Sequence, residues 1–492
     1  MGIIQQQTIK GSAYSYIGVI IGFVNLAILS PLIFTLDQIG LTQVIIAVAT
    51  ILAQLGSLGF SNVTNRLFPY FRDTSAGHKG FLSLAFLITA AGFVISVIIL
   101  SFYLPTFIEN NTEKSILLSE FAYYIPILLG FIILLNLLDG YCKVLFNASI
   151  GIFLREVLLR LLNLLLIILF YFKMIDFTQY VSLFVLSQAI PALIIIIYLI
   201  AKREFKFRGF SKTLDKNMVK QILSLCGYGI IAGLSGIALT NIDKYMVNNY
   251  EGLGNAGIYS ISVYFATLIL IPARSLGKIA VPVIAEAWKR NDIEEISIVY
   301  RKSSINQFVI GLLIVVGIIG NLNNIFRLLP DAYRAGEMVI IYFGIANLIN
   351  VSTGASQYIL GTSSLYRYQT YLMLVLIILV ISTNILLIPP LGMTGAAIAS
   401  LISMFVFTSL TLIILKFRFG LWPFSLQHLL AIVVSIAVWA ISLLIPEMKL
   451  IPDIMVRSGF IAILFLIATV GFRLSDEAVN IWNQFLRKIR NL

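Results

Sequence analysis

Arginine side chains at the ends of apolar runs are the residues best suited to binding chemistry in this sequence. Arg274 follows Pro272 near the end of one run, with Lys278 one turn later, and Arg66 ends another run one turn after Asn62. An arginine inside a spanning helix costs roughly 3 kcal/mol on insertion scales, and a guanidinium meets a phosphate through two parallel hydrogen bonds. The positions therefore predict phosphate-binding residues, although arginines that only reach lipid headgroups would show the same pattern.

Two amides, Asn25 and Gln54, lie midway along apolar runs. Either could bond sugar hydroxyls, but a hydrogen bond between helices, worth only about 0.6 kcal/mol on average, explains them equally well. Asp243 and Lys244 end a later run. They could form a gate, and a solvated helix end is the interpretation that we favour.

A charged cluster comprises Asp139, Lys143, Arg155, Glu156 and Arg160. Glu156 and Arg160 are four residues apart, so they can neutralise each other on one helix face, and we favour this structural interpretation. The functional alternative is a basic vestibule that gathers an anion through Arg155 and Arg160.

The remaining reactive side chains are few. Cys142 and Cys226 are too few for a disulfide framework, and His78 and His428 are too far apart to predict a metal cluster. No P-loop motif that would bind ATP is present in the sequence. The sequence predicts no metal, no cofactor, no cleavable signal peptide and no enzymatic activity.

The elements that must position these residues are membrane spans. Of the 492 residues, 59% are hydrophobic and 11% are charged, against about 25% charged in soluble proteins. The net charge of +12 does not indicate nucleic acid, because the basic residues lie in short segments between apolar runs. The continuously apolar runs favour helices over a barrel and predict fourteen spans, at about 12–34, 40–64, 81–104, 117–138, 150–172, 178–200, 221–242, 254–276, 304–320, 338–360, 369–388, 393–415, 427–445 and 454–472.

The distribution of basic residues predicts the sidedness. With the amino terminus in the cytoplasm and fourteen alternating spans, 27 Lys and Arg residues fall on the cytoplasmic side and 7 on the outer side. Both termini are therefore predicted to be cytoplasmic. The segment Lys202–Lys220 carries seven of the basic residues and reads best as a solvated loop. Alternatively, it joins two halves of a transporter and holds anionic lipid headgroups.

An internal repeat follows from four matched positions with offsets of 214, 218, 214 and 216 residues. The predicted architecture is an all-α polytopic membrane protein with two six-helix lobes, 1–210 and 211–420, related by a pseudo-two-fold axis along the membrane normal. Residues 421–492 add two helices and a cytoplasmic tail. The matched pairs are Gly40 with Gly254, Leu58-Gly59 with Leu276-Gly277, Phe146–Ser149 with Leu360–Ser363, and Phe177-Thr178 with Met393-Thr394.

The chain resembles the polysaccharide-export branch of the multidrug/oligosaccharidyl-lipid/polysaccharide exporter superfamily. The resemblance rests on the helix count, on the opening KGSAYSYIG, on LDQIGLTQ before the second span, and on NYEGLGNAGIYS before the eighth. It implies a flippase of the bacterial inner membrane that moves undecaprenyl-diphosphate-linked oligosaccharides, such as O-antigen repeat units, by alternating access. It also implies that the lobes meet through spans 1, 2, 7 and 8.

The predicted partners are the lipid-linked oligosaccharide diphosphate and membrane lipids, with a polysaccharide polymerase and glycosyltransferases as further candidates. The predicted substrate-binding residues are Arg274, Lys278, Arg66, Asn62, Asn25, Gln54, Arg155 and Arg160, and the predicted gate residues are Asp243 and Lys244.

Three alternatives remain open. A lipid II flippase is expected to carry arginines along its first span, whereas Gly11–Leu36 contains no charged residue. A cation-coupled multidrug exporter is expected to carry an acidic residue inside a lobe, and the predicted spans contain none at mid-membrane. A membrane-embedded sugar enzyme needs a catalytic set in a large external loop, and the predicted external loops are short.

Overall fold

A computed structural model describes residues 3–73, 75–111, 116–210 and 215–490, and every regular element within these ranges is helical. The predicted all-α class is thereby confirmed. The chain divides into two compact units, Met1–Ser260 and Ile261–Leu492.

Among its described residues, the first unit contains twelve α-helices and part of a thirteenth, with a 3₁₀ turn at His78–Gly80 and π-helical segments at Phe23–Leu29 and Leu154–Leu158. The helices are α1 (Ile3–Gly22), α2 (Ser30–Ile33), α3 (Leu36–Gly56), α4 (Phe60–Phe71), α5 (Phe81–Asn111), α6 (Ile116–Phe121), α7 (Tyr124–Val144), α8 (Ala148–Phe153), α9 (Leu159–Tyr171), α10 (Phe177–Ser187), α11 (Ala189–Ala201), α12 (Lys216–Glu251) and α13 (Leu253–Thr267).

Up to Arg490, the second unit contains the end of α13, two 3₁₀ segments at Leu268–Leu270 and Asp331–Gly336, and nine further α-helices. These are α14 (Ala273–Arg290), α15 (Ile293–Gly320), α16 (Leu322–Leu328), α17 (Glu337–Ser352), α18 (Ser356–Thr362), α19 (Tyr366–Phe419), α20 (Leu426–Ser442), α21 (Leu450–Gly471) and α22 (Asp476–Arg490).

Ten helical stretches among the described residues are long and apolar enough to cross a membrane. One of them, α19, holds two predicted spans, because Gly392 turns the backbone sharply with φ 58° and ψ −143°. The shorter apolar helix α20 coincides with a further predicted span. The predicted fifth span lies over α8, α9 and the π segment between them, which together run from Ala148 to Tyr171. The predicted seventh span, 221–242, lies within α12. The observed helices are thus consistent with fourteen spans.

Large apolar side chains cover the outward surfaces of several long helices. Phe102 on α5 is 82% exposed, and Leu429, Ile436, Met455 and Ile463 on α20 and α21 are also exposed. A surface of this kind is stable in hydrocarbon and would be a liability in water. The protein is therefore a multi-pass membrane protein.

Reciprocal caps begin two of the helices in the first unit. The Thr35 hydroxyl accepts a hydrogen bond from the amide of Gln38 (3.3 Å), and the Gln38 side chain accepts one from the amide of Thr35 (3.0 Å). Asp176 and Gln179 make the same pair of bonds at the start of α10. Each cap satisfies two backbone donors that the first helical turn leaves open, so it fixes where the helix starts.

The predicted second span, 40–64, is two helices in the structure. The chain leaves α3 after Gly56 and begins α4 after Gly59, whose positive φ of 65° suits glycine best. A Cβ atom at Gly59 would also overlap the α12 backbone at Cys226, and one at Gly40 would overlap the backbone at Leu253. The glycines therefore let α12 and the chain after it pack against α3 and α4.

This packing places α12 in the first compact unit, although the repeat predicts a lobe boundary at 210. The compact units reflect which helices contact each other, whereas the repeat concerns which helices correspond in sequence. The compact units therefore do not test the repeat. The lobes 1–210 and 211–420 stay a prediction.

The basic segment after α11 is partly packed rather than only solvated. Glu204 lies 2.8 Å from Nε2 of the buried His78, and its carbonyl accepts a hydrogen bond from the Tyr141 hydroxyl (3.3 Å). The amide of Arg208 donates to Ser83 Oγ (3.0 Å). These contacts hold 204–208 against α5 and α7, while 211–214 lie outside the described residues.

Asp73 organises the turn that carries His78. Its carboxylate accepts hydrogen bonds from the Ser75 hydroxyl (2.6 Å) and from the amide of Ala76 (3.0 Å). The Ser75 hydrogen bond is the main reason that the pKa of Asp73 lies below its usual value. The carboxylate is therefore charged at neutral pH and keeps the turn in place.

Candidate functional site

The charged side chains of the first unit meet around Asp139, near the end of α7. Its Oδ2 atom lies 2.8 Å from Lys143 Nζ, one turn further along α7, and 3.4 Å from an Arg155 Nη atom of the π segment. The Asp139 side chain is 6% exposed, that of Lys143 is 48% exposed, and that of Arg155 is 35% exposed. One buried carboxylate thus holds two partly accessible cations.

Asp139 corrects the sequence prediction, which ended the fourth span at residue 138. The helix continues to Val144, so Asp139 lies inside α7 and is buried. The prediction stopped at the first charged residue because an apolar window cannot show that two cations will compensate a carboxylate. Because Asp139 lies near the end of α7, the expectation that no acidic residue lies at mid-membrane stays a prediction.

The network around Asp139 is incompletely hydrogen-bonded. Arg155 donates to Asn136 Oδ1 (2.8 Å), yet its buried Nε atom has no partner among the described residues. The buried Oδ1 atom of Asp139 also lacks one there. Oδ1 instead faces Gly151, where a Cβ atom would overlap it. Such unsatisfied buried groups are uncommon, and they are candidates for binding a ligand.

Asn136 was missed by sequence reasoning. Its position three residues before Asp139 and seven before Lys143 places all three on one face of α7. This spacing could have identified Asn136 as a site residue, but the leucines on either side of it indicate only a membrane span.

The second half of the cluster is a structural pair, as predicted. Arg160 lies 2.7 Å from Glu156, one turn away, and it also donates to the carbonyl of Gly18 on α1. The Asn25 amide donates to the carbonyl of Arg160 (2.7 Å). Arg160 and Asn25 therefore join α1 to the helix that carries Arg155.

This junction lies where both helices contain a π-helical segment, Phe23–Leu29 and Leu154–Leu158. A π segment is rare and often marks a functional position in a helix. Gly18 permits the close approach, because a Cβ atom there would overlap the Glu156 backbone. The helix that presents Arg155 is thus tied to the first span at a locally irregular point.

The predicted site residues of the second span lie near α12. The Gln54 amide packs against Gly233, and the Asn62 amide lies close to Gly229. Arg66 is exposed on α4, which begins after the break at Gly59 and is separate from α3. None of these three side chains contacts the Asp139 network in the described structure.

The predicted gate is better packed than the favoured interpretation allowed. Asp243 is 1% exposed and accepts a hydrogen bond from the Tyr259 hydroxyl (2.9 Å), so a solvated helix end is wrong. Lys244 donates to Gln43 Oε1 on α3 (3.0 Å). No local sequence pattern indicates the hydrogen bond to Tyr259, because the two residues lie on different helices.

A second contact on α12 strengthens this cluster. The hydroxyls of Tyr103 on α5 and Tyr245 on α12 are hydrogen-bonded to each other. Together with the bond between Lys244 and Gln43, this links α12 to two other helices of the first unit.

Arg274 and Lys278 stand in a different helix from the one predicted. The chain leaves α13 at Thr267, and α14 starts at Ala273 after Pro272, so Arg274 lies in the first turn of α14 and not at the end of a span. Proline is favoured at a helix start because the backbone amide there has no hydrogen-bond partner within the helix. The side chains of Arg274 and Lys278 lie outside the described residues.

Among the described residues, no three His, Cys, Asp or Glu side chains are grouped so that they could hold a metal ion. His428 instead lies 2.9 Å from the Ser304 hydroxyl, and His78 contacts Glu204.

A protein-family model described as polysaccharide biosynthesis protein matches residues 6–288, which is more than half of the chain. The chain belongs to this family. The match confirms the resemblance to the polysaccharide-export branch that the sequence motifs indicated. No curated protein gives a significant sequence match.

Solved structures of the superfamily share the fold of this family member. The lipid II flippase MurJ, in an inward closed conformation, is 14% identical with a TM-score of 0.74, covering 94% of this chain and 98% of that one. An inward-facing multidrug resistance MATE transporter is 15% identical with a TM-score of 0.61, covering 83% and 94%. A superfamily transporter from Pyrococcus furiosus is 15% identical with a TM-score of 0.55, covering 85% and 96%. At these identities the likeness concerns the fold alone.

Proposed function

We propose that this protein transports undecaprenyl-diphosphate-linked oligosaccharide repeat units across the bacterial inner membrane for polysaccharide or O-antigen synthesis. The observation that carries the proposal is the incomplete network at Asp139, found in a member of a polysaccharide biosynthesis family with a superfamily transporter fold. The mechanism is alternating access of the two predicted lobes, with no covalent step.

The chemistry of the network suits a diphosphate. Arg155 and Lys143 are partly exposed, and the carboxylate of Asp139 holds both in the absence of ligand. A phosphate oxygen can take the place of the carboxylate, because guanidinium and ammonium groups form charge-assisted hydrogen bonds with both anions. Asp139 would thus keep the cations in position until substrate arrives.

Arg274 and Lys278 are the other proposed diphosphate ligands. Their position after Pro272, at the start of α14, keeps both on the first two turns of one helix. A helix start also attracts anions through its free amide groups. Both termini are proposed to be cytoplasmic, and reporter fusions after residue 210 and at the carboxyl terminus should both report cytoplasm.

The test is complementation of a strain that lacks the native gene, with surface glycan normalised to inserted protein. Arg274→Glu is expected to stop export while the protein still inserts. Arg274→Lys keeps the charge without the planar fork and should give an intermediate level. Wild-type export from Arg274→Glu would remove this residue from the site. Any covalent product formed by purified protein from a lipid-linked sugar would overturn the transporter proposal.

The burial of Asp139 favours one second candidate, a cation-coupled exporter. An acidic residue inside a span is a common site for coupling to an ion. Export that collapses when the proton or sodium gradient is dissipated, together with drug resistance conferred by the gene, would favour that candidate. A lipid II flippase is less well supported, because α1 and the π segment after it carry no arginine.

A further inference from the structure

A cavity of about 590 Å³ lies between α15, α21 and the carboxyl-terminal helix α22, away from every residue considered above for the transported substrate. Its volume falls within the range of ligand sites, roughly 300–1,000 Å³. Its wall is mostly apolar, with polar residues near the start of α22. The lining residues are Asn306, Val309, Ile310, Leu466, Ser475, Glu477, Ala478 and Trp482.

The start of α22 is fixed, so the cavity is a built feature of the second unit. Leu474 is fully buried in the apolar core that α15, α20 and α21 share. Ser475 donates to Asn306 Oδ1 (2.6 Å) and accepts from the amide of Ala478 (3.1 Å), which caps α22. Glu477 lies 3.5 Å from Lys302.

The cavity opens towards the hydrocarbon of the bilayer. Ile310 on α15 and Leu466 on α21 line it, and each is 43% exposed on a helix long and apolar enough to span a membrane. A molecule that enters here therefore comes from the lipid phase.

Basic residues surround the polar end of the cavity. Lys302 lies one turn before Asn306 on α15 and Arg301 is its neighbour; both are exposed. Arg473, two residues before Ser475, is exposed as well. The helix α22 is amphipathic, as is typical of helices at the membrane surface, with Asp476 and Glu477 in its first turn and its basic residues near its end. Clusters of this charge next to a span attract anionic lipid headgroups.

We propose that this cavity binds an acyl chain of an anionic phospholipid, with the headgroup phosphate at Arg301 and Lys302. The apolar wall matches the chain, and the exposed cations match the headgroup. Phospholipids are also the bulk component of the phase onto which the cavity opens, so mass action favours them over a scarce lipid. The inference is independent of the proposed substrate.

The experiment is native mass spectrometry of the purified full-length protein with equal amounts of phosphatidylglycerol and phosphatidylethanolamine. The wild type should retain phosphatidylglycerol about fivefold better, since one basic residue at a membrane surface supplies a factor of this size. Ala478→Trp fills the cavity and should abolish the retained lipid. Ile467→Trp, at an exposed position of α21 that does not line the cavity, is the matched control and should retain it.

The basic residues at the polar end of the cavity, Arg301 and Lys302, form its mouth and are tested separately. Arg301→Gln with Lys302→Gln should remove the preference for phosphatidylglycerol. Equal lipid retention by the wild type and Ala478→Trp, or no headgroup preference in the wild type, would overturn the proposal.

A photo-crosslinking residue in place of Ile310 covers the case in which Ala478→Trp does not fold. The crosslinked lipid, released from membranes and identified by mass, should be an anionic phospholipid. Recovery of a polyprenyl phosphate would show instead that the cavity takes the tail of an isoprenoid lipid, and recovery of phosphatidylethanolamine would show that the basic mouth selects nothing.

Discussion

Two buried aspartates of this protein share the same spacing to a basic residue but have different surroundings. Asp139 in α7 is followed by Lys143, and Asp453 in α21 is followed by Arg457, each one helical turn later. Both carboxylates are nearly inaccessible, with side chains 6% and 3% exposed. Each also has a second cation that is partly exposed, Arg155 at 3.4 Å or Arg327 at 4.0 Å.

The network in the second unit is closed. Arg457 donates to the carbonyls of Ser442 (2.7 Å) and Ile445 (3.1 Å) and to Asp453 (3.1 Å). Those carbonyls belong to the end of α20 and the turn after it, which connects to α21. The arginine therefore joins two helices, and its donors are used within the protein.

The network in the first unit is open, because Asp139 Oδ1 and Arg155 Nε lack partners among the described residues. A closed network holds its shape and gains little from a ligand. An open network gains hydrogen bonds when a ligand supplies the missing partners. An aspartate followed one turn later by a basic residue thus serves structure in one unit and, we propose, binding in the other.

The largest expected effect is on stability, at the closed network. Arg457→Met should lower the free energy of unfolding by about 3–5 kcal/mol, because it leaves Asp453 charged in the interior with only the more distant, partly exposed Arg327 near it. The measurement is denaturant titration in detergent micelles. Asp453→Leu combined with Arg457→Met should unfold less readily than the single variant. A single variant as stable as the wild type would contradict the closed network.

At the open network, the expected effect is on export. Arg155→Gln should reduce surface glycan roughly 10- to 150-fold at equal membrane insertion, because a charge-assisted hydrogen bond to phosphate contributes about 1.5–3 kcal/mol. Arg155→Lys should recover part of the activity. Full export from Arg155→Gln would make this network structural, like its counterpart.

Replacing one glycine in each unit by alanine distinguishes the effect of steric overlap from that of intrinsic helix propensity. Gly151→Ala should destabilise the protein by about 1–3 kcal/mol, because its methyl group would overlap the Asp139 carboxylate. Gly459→Ala in α21 meets no neighbouring atom and should be neutral or up to about 1 kcal/mol stabilising. Equal effects of the two changes, measured in the same titration, would show that Asp139 can move away from Gly151.

The apolar runs predicted the helical class and most of the spans, because hydrocarbon demands long apolar helices whatever the function. The spacing of Glu156 and Arg160 likewise predicted their ion pair, which depends only on helix geometry. Properties that depend on a single element could therefore be derived from the sequence.

Properties that depend on two elements could not. The π segments at Phe23–Leu29 and Leu154–Leu158 lie where two helices contact each other, and no change in composition marks the residue that each adds to a helical turn. The hydrogen bond between Tyr103 and Tyr245 joins positions that no local pattern relates. The burial of Asp139 depends on Arg155, which lies on another helix. For the same reason, the charged residues in the sequence indicated a candidate site, but they did not show which side chains have all their hydrogen-bond partners.

The smallest expected effects are at the partly exposed cations, Lys143 and Arg327. Their side chains are 48% and 42% exposed, and exposed ion pairs contribute about 0–1 kcal/mol, so Lys143→Gln and Arg327→Gln should each change the free energy of unfolding by less than about 1 kcal/mol. Export should separate them. Lys143→Gln removes a proposed phosphate ligand and should lower surface glycan severalfold, whereas Arg327→Gln should leave it unchanged. Equal export from the two variants would show that an accessible cation beside a buried aspartate is not necessarily a binding residue. Arg155 would then be the residue on which the open network depends.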